Sequence, residues 1–277
     1  MRRETSLLTR VLLYCVLLTF TFMTLYPIFW LIMSSFKTTQ EFQMNRLGLP
    51  RRWTIKNYPQ AWNIGGFNQL FMNSIIYTVT STSAVVLLSL SAGFAFAKIR
   101  SRATPFLHGS FVIGILLSLE AILIPLFLMS NAAGLTDRRL GIILPYIGMG
   151  MPKGVYLCTE YIKSIPDSLV ESARIDGASY PRILASVIMP MAKPVATTLA
   201  ILNVTGVWNE FMLVNILASK GSLKSLPVGI LKFSGALASD YGKQFAALVI
   251  GMLPMLVFYA IFRNQITKGV SAGAVKG

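Results

Sequence analysis

The sequence predicts an all-α, polytopic membrane protein of six transmembrane helices, and three observations carry that prediction. Apolar runs of about 20 residues recur along the chain, each long enough to cross about 30 Å of hydrocarbon as a helix. Hydrophobic residues make up 54% of the 277 positions and charged residues only 13%, which excludes an ordinary soluble globule. All but one of the basic residues behind the net charge of +15, Lys153 being the exception, lie in the segments between the runs and at their ends, where they meet headgroups and anchor helices. No zinc spacing, basic helix or aromatic–basic strip suggests nucleic acid as the partner of that charge.

The elements follow in order. Arg2 and Arg3 precede the first span, Val11–Met33, which is too long for a secretory signal core and lacks a small-x-small cleavage site, so it is expected to be retained. A polar, proline-punctuated loop is expected over 37–67, external by the resemblance given below. The second span, about Ile75–Ala97, is rich in Ser and Thr and carries Gly93 and Ala95, residues suited to close helix contact; Lys98, Arg100 and Arg102 end it. The third, about Phe106–Met129, holds Glu120 and is expected to be interrupted at Pro125. The fourth, about Leu140–Ile162, has a Gly/Pro-rich centre over Gly148–Gly154 that predicts a break or bend. A polar stretch over 164–194 leads to the fifth span, Pro194–Ala218, which contains Trp208-Asn209-Glu210. A second polar loop, 219–243, likewise external by that resemblance, precedes the sixth span, Phe245–Phe262, and a tail at 263–277. The whole of 1–277 reads as one transmembrane domain.

Six spans place both termini on one side. Thirteen basic residues then fall on that face against eleven on the other, which does not settle orientation by charge. Cys15 and Cys158 sit in apolar surroundings and read as packed or lipid-facing thiols rather than a disulfide. The lone His108 makes no metal site unaided and reads as packed or interfacial.

The most informative stretch is the polar island after the fourth span. Ser168 with Glu171 three residues later fits a capping box, with Glu171 in the first helical turn. Gly177 supplies a left-handed stop, and Ser179-Tyr180-Pro181 starts a new helix. Two short helices meeting at a glycine make an elbow able to dock a soluble partner. The chain has no G-x-x-x-x-G-K-[ST] loop, so any hydrolysis of ATP that drives it is expected on another subunit.

Glu171-Ser172-Ala173, three residues, Gly177, nine residues and Val187-Ile188-Met189-Pro190 resemble the EAA loop of the membrane subunits of ATP-binding-cassette importers. Asn73-Ser74, Ala95–Lys98, Gly134-Leu135, Leu144-Pro145-Tyr146, Trp208-Asn209-Glu210-Phe211 and the ending Lys268–Gly277 extend the likeness along the chain. They are similar to the second, shorter membrane subunit of maltose-type carbohydrate importers.

That resemblance implies a type I importer permease with a coupling helix, both termini cytoplasmic, in a bacterial or archaeal cytoplasmic membrane. It implies a homologous permease partner, two ATPase subunits carrying ATP and magnesium, an extracytoplasmic binding protein, and a sugar or oligosaccharide as cargo, with no cofactor on this chain. Glu171, Ser172, Ala173, Asp176, Gly177 and Pro190 would contact the ATPase. The tail residues Gly269, Ala272, Gly273, Lys276 and Gly277 would reach into the ATPase dimer, and the loop 219–243 would probe the binding protein.

Charged groups within spans are costly and usually face protein or water, so Glu120, Lys153 and Glu210, with Asn209, are expected along the translocation pathway. Two further transport readings stand beside this one. The basic external loops suit an acidic oligosaccharide or a phosphorylated polyol, and Glu120 and Glu210 suit the proton sites of an ion-coupled secondary transporter. An intramembrane enzyme would need a convergent acid–base or metal constellation, and one histidine with scattered carboxylates supplies none.

Overall fold

The computed structural model describes residues 7–99, 101–233 and 240–274, and all regular structure among them is helical. α1 (Leu7–Ser35) is apolar on every side, and its hydrophobic stretch buries none of its residues within the chain. The hydroxyls of Thr19, Thr21 and Thr24 donate to carbonyls four residues earlier, which satisfies them where no water is at hand. The expected loop over 37–67 holds two helices, α2 (Thr39–Met44) and α3 (Asn57–Gly65). Thr38 caps the first of these, accepting from the Glu41 amide at 3.2 Å, and Gly66, at φ 65°, ends the second.

α4 (Phe67–Lys98) runs for 32 residues without a proline and starts well before the expected Ile75. The third span is broken, but not at Pro125. α5 (Thr104–Gly114) tightens into three-residue hydrogen bonds at Ile115, Leu116 and Leu117. Ser118 then takes extended backbone and caps α6 (Leu119–Ala132), which turns by 106° and carries Pro125 inside it. A side-chain cap makes this break; the missing amide of the proline does not.

α7 (Arg139–Lys163) corrects a second expectation, because it passes through Pro145, Pro152 and the glycines between them as one helix. Those glycines are contact points. A Cβ on Gly150 would lie 2.6 Å from Val85, and one on Gly154 would lie 2.2 Å from the Ser89 hydroxyl. One on Gly93 would reach 2.7 Å from Cys158 and 2.9 Å from the Thr159 backbone nitrogen. The pairs 85/150, 89/154 and 93/158 advance four residues at a time on both helices, so α4 and α7 run parallel with backbones in close approach.

Then follow α8 (Asp167–Ile175), α9 (Tyr180–Ile183), a π turn over Leu184–Ile188 and α10 (Met189–Met191). A 78° bend leads into α11 (Lys193–Asn209), and after a break at Glu210-Phe211 comes α12 (Met212–Leu217). The expected loop over 219–243 is also partly helical, with α13 (Leu226–Ile230) burying Leu226 and Val228. α14 (Tyr241–Ala274) covers the sixth span and most of the tail. Among the described residues, four helices, α1, α4, α7 and α14, are long and apolar enough to cross a membrane singly, and two bent pairs bring the number of spans to as many as six.

The chain divides into two units. In the first, residues 1–67 with 230–254, Trp30 packs edge-on to Phe42 at 5.8 Å and to Phe245 at 5.3 Å. Thr39 donates to Asp240 at 2.8 Å, and Lys243 pairs with the same carboxylate at 2.7 Å. Burial alone pushes the Asp240 carboxyl up, but the bonds from Lys243 and Thr39 and the Lys243 charge hold it below its usual value. Lys37 is fully buried and donates to the Asn45 carbonyl at 2.7 Å; burial lowers its pKa, against the opposing pull of Glu41.

In the second unit, residues 68–229 with 255–277, one core joins α4 (Val85, Leu90, Phe94), α7 (Cys158, Ile162), the elbow (Val170, Ile183, Ile188) and α11 (Val195, Leu199). A second core joins Tyr77, Ile142 and Tyr146 to Leu213, Val214 and Leu217. Both cysteines are free, Cys158 buried and Cys15 exposed on α1. His108 is packed as expected, between Phe96 and Tyr156.

Candidate functional site

The elbow forms, although not by the expected capping box. Pro166 precedes α8, so the helix begins at Asp167, with Ser168 already inside it and its carbonyl accepting the Ser172 hydroxyl at 2.8 Å. Glu171 is therefore in the second turn and exposed, and Asp167 takes the first-turn position that favours negative charge. The stop is as expected. Gly177 sits at φ 79°, its amide donating to Arg174 and that of Ala178 to Ala173, both at 3.0 Å. Those two bonds are the Schellman arrangement, which only a residue tolerant of the left-handed region completes without strain.

Ser179 begins α9 with extended backbone, as expected, but its side chain makes no cap bond. Arg174 braces the two arms: its guanidinium lies 4.7 Å above the Tyr180 ring and also donates to the Tyr180 hydroxyl. Of the expected contact residues, Glu171, Ser172, Asp176, Gly177 and Pro190 face outward, whereas Ala173 is half-buried and packs with Ala178 on the chain's own core. Sequence reasoning missed the most exposed apolar group of the elbow, Ile175, at 87%.

The elbow is keyed to the bundle. Lys98, the last residue of α4, buries its side chain to 3% exposure and donates to the Ile165 carbonyl and the Asp167 carboxylate, both at 2.5 Å. Phe94, one turn earlier, packs against Tyr180 at 6.2 Å. In the sequence Lys98 looked like a charge ending a span; only the fold places the start of α8 beside it.

Within the bundle, Lys153 and Glu210 come together. Both line a cavity of about 230 Å³ with Tyr146, Met149, Gly150, Asn203 and Gly206. Glu210 is bonded through both oxygens, accepting from the Tyr146 hydroxyl at 2.7 Å and the Leu213 amide at 2.8 Å. It therefore stitches the break between α11 and α12 and ties it to α7, the kind of saturation a carboxylate at membrane depth requires. No described carboxylate pairs with Lys153. Glu120 and Asn209 do not line the cavity. Glu120 sits exposed in the first turn of α6, and the Asn209 amide turns back to the Thr205 carbonyl at 2.9 Å.

At the opposite end of α4, Gln69, Asn73, Ser74 and Tyr77 hold the segment 222–226. Asn73 donates to the Ser222 carbonyl at 2.8 Å and to that of Lys224 at 3.0 Å, and Tyr77 donates to that of Leu223 at 2.7 Å. Gln69 adds a bond to Ser222 at 3.0 Å, and the Leu226 amide donates to Ser74 at 2.8 Å. Nearby, Asp137 at φ 56° accepts from the Ser219 and Lys220 amides at 2.7 and 3.0 Å. Of the expected tail contacts, Gly269, Ala272 and Gly273 fall within α14, and Lys276 and Gly277 lie outside the described residues.

Residues 89–271, which include α7, the elbow and α11, match the family described as the binding-protein-dependent transport system inner membrane component. The chain belongs to that family. The permease is 34% identical to the multiple sugar-binding transport system permease protein MsmG of Streptococcus mutans, over 91% of this chain and 92% of that protein. It is 32% identical to a putative ABC transporter permease protein, ORF2, of a Caldicellulosiruptor species, over 91% of each. Its fold matches a chain of a bacterial ABC transporter involved in the import of the acidic polysaccharide alginate, with a TM-score of 0.81 and 25% identity over 94% of this chain and 98% of that one.

Proposed function

We propose that this permease is one half of the translocation pathway of an ATP-driven sugar or oligosaccharide importer. It pairs with a homologous permease, receives cargo from a binding protein through the segment beginning at Ser219, and is driven by two ATPase subunits. The elbow and both termini are cytoplasmic. ATP and magnesium act on the ATPase chains, and this chain holds no cofactor.

The observation that carries the reading is the elbow. It is a capped, braced projection whose inner side is packed on α4, α7 and α11 while Ile175, Glu171 and Asp176 face outward. An apolar tip between two carboxylates suits a cleft with an apolar floor and basic rims. Closure of the ATPase pair would displace that tip, and the shared core would carry α4, α7 and α11 with it as one body, the rigid-body class of switching. α1, apolar all round and unburied within the chain, leaves area for lipid and for the second permease. The multiple-sugar relative supports a saccharide cargo.

A second reading of the cargo, an acidic oligosaccharide, is favoured by Lys153. It lines the cavity while both oxygens of Glu210 are already engaged. The alginate importer carries a cargo of that kind.

Proteoliposome uptake tests both. Cargo co-purified with the cognate binding protein should accumulate only with that protein outside and ATP at the ATPase, unaffected by a proton ionophore. Uptake driven by a proton gradient without ATP would reject the importer reading. Neutral and uronate-containing oligosaccharides compared in the same vesicles decide the cargo class.

A further inference from the structure

α4 is gripped at both ends. At one end, Gln69, Asn73 and Tyr77, spaced four residues apart on one face, engage the carbonyls of Ser222, Leu223 and Lys224, and Ser74 accepts from the Leu226 amide. At the other, Lys98 engages the Ile165 carbonyl and the Asp167 carboxylate at the start of the elbow. From Asn73 to Lys98 the helix rises about 37 Å, more than the hydrocarbon thickness, so the two grips lie on opposite sides of the membrane. No proline interrupts it, and the contacts of Gly93, Ser89 and Val85 hold it against α7 along the way.

Each grip is saturated in a way that resists sliding. Asn73 is fully buried and uses both amide hydrogens on the outer segment while its oxygen accepts from Arg139 at 3.4 Å. The Lys98 ammonium is almost wholly withdrawn from solvent, so parting it from its oxygens would strand a buried charge. A helix is stiff along its axis, and displacement of the elbow must move either these bonds or the helix that carries them.

We infer that α4 is a strut linking the elbow to the outer segment 222–226, with Lys98 and Asn73 as its positioning residues. The inference rests on the reading that the elbow docks an ATPase. Because coupling free energy is reciprocal, a partner held by the outer segment biases the elbow as much as the nucleotide-driven partner biases the outer segment.

The test uses the assembled transporter in nanodiscs, with hydrogen exchange followed at the Leu226 amide as magnesium ATP and vanadate are added. In the wild type, exchange there should change several-fold. Lys98→Met should abolish that response while the complex still hydrolyses ATP, and Lys98→Arg should restore it. Tyr77→Phe, which removes one hydroxyl and keeps the ring, should weaken the response without altering exchange in α8, and it carries the test if Lys98→Met fails to assemble. A full response in Lys98→Met or in Tyr77→Phe overturns the strut, as does a wild-type complex that retains its ATPase and shows no response. A complex that never retains an ATPase counts instead against docking at the elbow, so the two failures are distinct.

Discussion

A Cβ on Gly177 would meet nothing within 4 Å, yet the backbone there sits at φ 79°. The cost of a side chain is therefore conformational, about 1–2 kcal/mol for alanine by the penalty of the left-handed region. Gly177→Ala should lower the melting temperature of the purified permease, and Gly177→Asn should lower it less. Equal melting temperatures for all three would mean that the turn is not held as described. Asp240 makes a second prediction at this scale. Its folded pKa lies below the ordinary 3.8, so its stabilisation is complete above that value and is lost as pH falls through the lowered pKa. Lys37 acts with the same sign at the alkaline end of the scale: its folded pKa is depressed from 10.5, so the cost of keeping it charged is relieved as pH rises through the lowered value. Fluorescence of Trp30, packed in the same unit, should report loss of that unit in acid at a higher pH in Asp240→Asn than in the wild type.

Between elements, the parallel contact of α4 with α7 depends on three small steps of unequal tolerance. At Gly154 the nearest obstacle to a Cβ is a serine side chain, whereas at Gly93 it includes the Thr159 backbone nitrogen, which cannot turn away. Each substitution to alanine should cost about 1–3 kcal/mol of overpacking, Gly93→Ala more than Gly154→Ala, read as the midpoint of denaturant unfolding in detergent. The reverse order would contradict the packing. Here the limit of sequence reading is physical. Glycine and proline at 148–154 signal a helix breaker or a contact surface equally well, and only the partner helix decides between them. Pro125 misled in the same way, because Ser118 offers a better place to restart a helix. Ser168 with Glu171 satisfied the capping pattern, but Pro166 and Asp167 start the helix sooner. What did read through were features fixed locally: the apolar runs, the left-handed stop at Gly177, and the free thiols. The bonding partners of Lys98, Asn73, Tyr146 and Asp137 were not legible, since each acts on a chain segment 64 to 151 positions away.

Over the whole molecule, family membership and the arrangement of spans place a polar elbow between membrane helices, keyed by one buried core to α4, α7 and α11. If that elbow receives mechanical input, the group nearest the partner is Ile175, exposed at its tip. Truncating it to alanine should leave the permease folded, because the side chain contributes little internal packing, while weakening ATPase retention by an order of magnitude or more, as for a buried interface anchor. The most direct measurement is a photo-crosslinking residue placed at Ile175 in native membranes. The account predicts a single adduct with a nucleotide-hydrolysing subunit, formed from the cytoplasmic side and altered by ATP. An adduct with an extracytoplasmic protein, or labelling of that position by an impermeant reagent applied from outside, would contradict it.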